Sequence, residues 1–125
     1  MKLPIEYRWL KAHNFNLLTP WYFVEPTDSS NGLRREYQIE TGLDMIPFAR
    51  RQDNDDIAGF KVVKGEVKKT VLSVHLTWTS RLEYEGFPRV KESADLFEWI
   101  KNTMLPDSQE WVDEDELKDI IENKN

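Results

Sequence analysis

From Leu72 to Thr79 apolar and polar residues alternate without a break, with Leu72, Val74, Leu76 and Trp78 on one face and Ser73, His75 and Thr77 on the other. A period of two marks a half-buried antiparallel strand, because successive side chains of an extended backbone point to opposite sides. Such a strand needs a neighbour for its backbone N–H and C=O groups, and one precedes it. Asp56 to Val63 leads into the turn candidate Lys64-Gly65 and then into a strand over Glu66 to Thr79, so the middle of the chain is predicted to be a β-hairpin.

The flanks add helices. Leu33 to Thr41 is predicted to be helical, with Leu33 and Tyr37 supplying the buried stripe and Gly42 the left-handed stop that costs glycine little. A later helix is predicted with Ser93 as N-cap, Leu96, Phe97, Ile100 and Met104 on one face, and Pro106 just past its end. A last, acidic helix over about residues 113–123 is predicted from a capping box, Asp113 with Glu116, and a hydrophobic staple, Val112 with Leu117. Near the start, Tyr7 to Leu10 could open a short helix. Leu17 to Val24 is the most apolar run, and its aromatic second half favours a strand with Pro20 at or before its start. Pro26 to Gly32 is a loop. The expectation is one domain over residues 1–125, of α+β class, with a mainly antiparallel sheet packed with helices.

Composition closes several routes. With no cysteine in 125 residues, disulfides, thiolate nucleophiles and Cys-based zinc sites are excluded. No stretch approaches the roughly 18 apolar residues of a membrane span, and Met1 to Glu6 meets charge before any apolar signal region could form. A cytoplasmic location without membrane contact is therefore expected. The net charge of −6 is uneven: residues 91–125 hold four basic and eleven acidic side chains, a balance of −7. An acidic chain repels phosphate, so direct nucleic-acid binding is not expected. Solubility alone explains the charge adequately, yet it would also steer a basic partner.

Catalytic patterns are sparse. His13 and His75 are not in zinc-helix spacing, and no nucleophile elbow or glycine-rich phosphate loop occurs. His75 reads as a solvent-facing or hydrogen-bonded structural histidine. The run Asp53-Asn54-Asp55-Asp56 invites a calcium reading. An EF-hand loop opening at Asp53 would need an oxygen ligand at position five and glycine and glutamate at six and twelve, where the chain has Ile57, Ala58 and Lys64. A polar turn fits better. No catalytic residue, metal or cofactor is expected. Of five tryptophans, at least three should be core, Trp78 and Trp99 among them, with Trp9 and Trp111 the better candidates for exposure. Arg50 and Arg51 could pair with acidic helices of the same chain or contact a partner, and the residues leave both open.

The order of elements, Ile46-Pro47-Phe48-Ala49, then the Asp53–Asp56 turn, then Phe60, and a late Phe97-Glu98-Trp99 helix, resembles the SUKH superfamily over about residues 33–104. That superfamily includes fungal regulators of cell-wall synthesis and many bacterial immunity proteins. The first thirty residues depart from its pattern, with Leu-Thr-Pro-Trp where many members carry Gly-Leu-Pro. The resemblance implies an α+β domain without enzymatic activity that binds a protein partner, for immunity proteins a cognate and commonly nuclease-type toxin. On that expectation the partner-binding candidates are Arg50, Arg51, Asp53, Asp55, Asp56, Trp111, Asp113, Glu114 and Asp115. A scaffold or regulatory protein of the same fold, and a small-ligand-binding protein or enzyme, are the rival readings.

Overall fold

The computed structural model describes residues 2–26, 32–78 and 90–112. Its order is α1 (Ile5–Ala12), β1 (Trp21–Phe23), α2 (Leu33–Thr41), β2 (Asp44–Arg51), β3 (Asp56–Val63), β4 (Glu66–His75), β5 (Val90–Ser93), α3 (Leu96–Trp99), a π-helical turn (Ile100–Met104) and α4 (Leu105–Trp111). The five strands form one antiparallel sheet in sequence order, β1-β2-β3-β4-β5. The fold is α+β, as the alternation and the helix signals predict.

Two apolar clusters form, and successive residues of β3 supply them alternately. Ile57 packs with Leu33 and Tyr37 of α2 and with Leu72, Val74 and Leu76. Ala58 and Phe60 pack with Tyr7 and Leu10 of α1 and with Leu96, Trp99 and Met104. The sheet is thus covered on both faces, which is why Met45 to Ala49 in β2 is continuously buried and does not alternate. Phe48 and Phe60 stack at 4.6 Å between ring centroids, and Trp99 meets Phe48 edge-on at 5.3 Å.

β2 is an inner strand that contains Pro47, a residue with no N–H for the ladder. The register shifts between Pro47, opposite Gly59, and Ala49, opposite Ala58, so a bulge at Phe48 accommodates the proline. Gly59 is required there: a Cβ would lie 2.7 Å from the Ile46 carbonyl oxygen and against the Met45 sulfur. The β3–β4 connection is the expected Lys64-Gly65 turn, with φ of 50° and 78°. Gly42 ends α2 at φ 74°, its N–H donating to the Gln38 carbonyl.

Several local expectations are corrected. Asp95, not Ser93, caps α3, its carboxylate accepting from the Glu98 N–H at 2.9 Å, while Ser93 pairs with Val71 in β5. Pro106 does not end the helix. The preceding turn widens so that the Leu105 N–H donates to the Ile100 carbonyl, and Pro106 enters the first turn of α4, where a missing N–H costs little. Trp78 is not core: β4 stops at His75, and Trp78 has φ 59° with 44% exposure. Phe97 is likewise exposed, whereas Leu96 and Met104 are buried. Only Trp21 and Trp99 are deeply buried, so two tryptophans and not the expected three or more form core; Trp9 is exposed as expected, and Trp111, also a candidate for exposure, is half-buried. The acidic helix expected from Asp113 lies outside the described residues.

Candidate functional site

The β2–β3 turn gathers five of the nine residues singled out from the sequence. It is fixed from within: the Asn54 side-chain oxygen accepts the Asp56 N–H at 2.8 Å, and the Gln52 N–H reaches the Pro20 carbonyl at 2.9 Å. Arg51 grips Asp53 with a two-pronged fork, Nε to Oδ1 and Nη2 to Oδ2, each at 2.9 Å. The fork holds the Asp53 carboxyl below its usual range, and the carboxylate in turn keeps the Arg51 guanidinium firmly charged. Arg50 meets Asp55 more loosely, at 3.4 Å.

The turn is tied to the rest of the molecule by residues that the sequence did not single out together. The Arg51 Nη1 reaches Asp107 of α4 at 3.3 Å, and the same Asp107 oxygen accepts from Trp21 Nε1 of β1 at 2.9 Å. Asp56 lies 2.8 Å from Nδ1 of His75, the end residue of β4. The Leu76 N–H donates to the Asp55 carbonyl at 3.1 Å. Between sheet and helix the cluster borders a cleft of about 240 Å³, whose walls include Trp21 and Val74 beside Asp56, His75, Lys91 and Asp107. Ser73, also on that wall, accepts from Trp99 Nε1 at 2.9 Å, and Lys91 donates to Thr103 at 3.2 Å. Among the described residues, Asp56 is the hydrogen-bond partner of His75, and the pair has no nucleophile bonded to its other side.

Side-chain exposure is 44% for Asp55, 33% for both Asp53 and Arg50, 31% for Asp56 and 30% for Asp107, so Arg51, at 18%, is the one charged residue of the group that sits deeper. Trp111 sits one helical turn beyond Asp107 in α4 and is half-buried. Asp113, Glu114 and Asp115 lie outside the described residues. Of the two possibilities the sequence leaves open for the arginines, intramolecular pairing is observed, with Asp53 and Asp55 of the same turn and, for Arg51, with Asp107 of α4. Asp107 gave no local signal of its partnership, because its two contacts come from strands far away in sequence. No group of three or more histidine, aspartate or glutamate side chains placed to hold a metal occurs among the described residues. No helix among them is long and apolar enough to cross a membrane.

A second anchored point lies beside the cluster. Glu40 of α2 is buried, and its carboxylate accepts from the Thr77 N–H and hydroxyl at 2.9 and 2.8 Å and from the Trp78 N–H at 2.8 Å. Burial pushes this carboxyl up, but hydrogen bonds from Glu36, Thr77 and Trp78 outweigh it and hold the group below its ordinary range. A carboxylate at this position holds Trp78 in its left-handed backbone conformation.

Comparison with protein-family models, with curated proteins and with solved structures found no match to this chain.

Proposed function

We propose that the chain is a non-enzymatic protein-binding module that neutralises a basic, nuclease-type toxin domain, the role that the SUKH resemblance implies. The observation that carries the reading is the charge arrangement at the β2–β3 turn. Asp53, Asp55, Asp56 and Asp107 outnumber Arg50 and Arg51, and Arg51 sits deeper than the carboxylates it orients. Fixed carboxylates lose little side-chain freedom when a partner docks, which favours affinity, and their field raises the on-rate for a basic surface. A nuclease surface that grips phosphate is such a surface.

In this reading the His75–Asp56 pair is structural, closing the open end of the β2–β3–β4 sheet. The test is co-expression with the product of the adjacent gene. Restored growth and a co-purifying complex support the proposal, whereas toxicity without rescue and without a complex contradicts it.

A further inference from the structure

β4 ends at His75, opposite Asp56, and the chain runs on through Leu76, Thr77 and Trp78 at the same end of the sheet as the β2–β3 turn. Leu76 is tied to that turn, its N–H donating to the Asp55 carbonyl at 3.1 Å, and its side chain is buried. Two residues on, the Trp78 side chain is exposed. A single exposed apolar side chain is ordinary, so exposure alone says little. What sets Trp78 apart is how its backbone is held. Trp9, the other exposed tryptophan, lies in the regular helix α1 and rests on the His13 ring at 4.5 Å. Trp78 has φ 59°, a left-handed conformation that a bulky aromatic adopts only when its surroundings impose it.

Glu40 imposes it. This residue is 1% exposed, and its carboxylate takes the Thr77 N–H and hydroxyl and the Trp78 N–H, all within 2.9 Å. A buried carboxylate is thus committed to a segment in which both Thr77 and Trp78 face outward. The consequence is an indole whose point of departure from the surface is fixed in advance. A pre-ordered aromatic gives up little freedom when a partner covers it, and tryptophan is over-represented among the residues that dominate interface energies. The indole face also attracts guanidinium and ammonium groups, which fits a basic partner. On the other flank of the acidic turn a second exposed aromatic, Tyr22, stands directly opposite Arg50 across β1 and β2.

We propose that Trp78 is the anchor of the partner interface, its indole buried against the basic toxin domain beside the carboxylates of the β2–β3 turn. This role rests on the toxin-binding reading and divides the work of the surface. The aspartates steer the encounter and set the association rate, whereas the buried indole sets the lifetime of the complex.

The experiment measures association and dissociation rates of the full chain with the product of the adjacent gene, for the parent protein, Trp78→Asn, Trp78→Phe and Trp9→Ala. Asparagine accepts φ near 59°, so Trp78→Asn keeps the fold, and urea midpoints check each variant. Trp78→Asn should dissociate about thirtyfold faster or more, the range of a dominant interface residue. Its association rate and salt dependence should stay within about twofold of the parent's. Trp78→Phe, which keeps an aromatic ring, should lose less, and Trp9→Ala should match the parent. If the parent binds and Trp78→Asn dissociates no faster, the anchor is overturned while the toxin reading stands. An equal loss in Trp9→Ala overturns it too. If the parent forms no complex, the toxin reading itself falls, and the anchor with it.

Discussion

The Arg51 guanidinium at the end of β2 lies 3.3 Å from the Asp107 carboxylate in α4, on the oxygen that also accepts from Trp21 Nε1. One carboxylate therefore joins the first strand, the β2–β3 turn and the C-terminal helix. The partners differ in depth: Trp21 is 3% exposed, whereas the Arg51 side chain is 18% exposed and keeps Asp53 as a second partner.

Asp107→Ala should accordingly lower stability by about 1–3 kcal/mol, the cost of stranding a buried donor. Arg50→Ala should change it by less than about 0.5 kcal/mol, because the Arg50–Asp55 contact at 3.4 Å is weak and solvated. Urea unfolding of both variants measures the contrast. Equal losses would mean that Asp107 is a surface charge like any other.

Gly59→Ala should destabilise by about 2 kcal/mol or more, since the new methyl would press on the Ile46 carbonyl oxygen at 2.7 Å, a backbone atom in the middle of the sheet. Gly65→Asn, at φ 78° with open space around it, should cost far less. Thermal unfolding of the two variants decides, and comparable losses would contradict the close approach of β2 and β3.

Acid should weaken the fold through Glu40 and Asp44. Hydrogen bonds from Arg34, working against burial, keep the Asp44 carboxyl low, as those from Glu36, Thr77 and Trp78 do for Glu40. Both groups hold their protons less tightly folded than unfolded. Over the acid range the unfolded chain therefore binds more protons, and stability is present above the ordinary carboxylate range and lost as pH falls through the lowered folded values. The urea midpoint should be level above about pH 5.5 and decline below about pH 4.5. In Glu40→Gln the decline should be shallower from a lower starting point. An unchanged slope would remove Glu40 from the explanation.

Trp78→Asn should raise stability slightly, by up to about 1 kcal/mol, because asparagine accepts φ near 59° more readily than a bulky aromatic does. A fall in the urea midpoint would show that the exposed indole contributes packing beyond what its 44% exposure suggests.

The parts of this fold that were legible in the sequence are those fixed by near neighbours. The Lys64-Gly65 hairpin, the Leu33–Tyr37 stripe and the Gly42 stop each follow from side-chain periodicity or the conformational freedom of one residue. The errors arose where a distant group overrode a local rule. The alternation runs on to Trp78, but the Glu40 carboxylate on another element captures the Thr77 and Trp78 N–H groups and ends the ladder. Pro106 is a helix stop by local rules, yet the π-helical turn before it lets the backbone continue into α4. Ser93 is a good cap in isolation, but pairing with Val71 claims it for the sheet, and Asp95 caps instead. At the candidate site, the adjacency of Arg50 and Arg51 to a run of aspartates was visible. Asp107, Trp21 and His75 joined the site only through the tertiary fold, which no spacing encodes.

The most direct measurement of the proposed function is the association rate of the purified chain with the product of the adjacent gene, for the parent protein and for the triple charge reversal Asp53→Lys, Asp55→Lys and Asp56→Lys. If the acidic end of the sheet meets a basic partner, the parent should associate fast and slow steeply as salt rises, and the reversal should slow association by about tenfold or more with its salt dependence lost. Equal association rates at low salt for the two proteins would contradict the assignment of this surface to the partner.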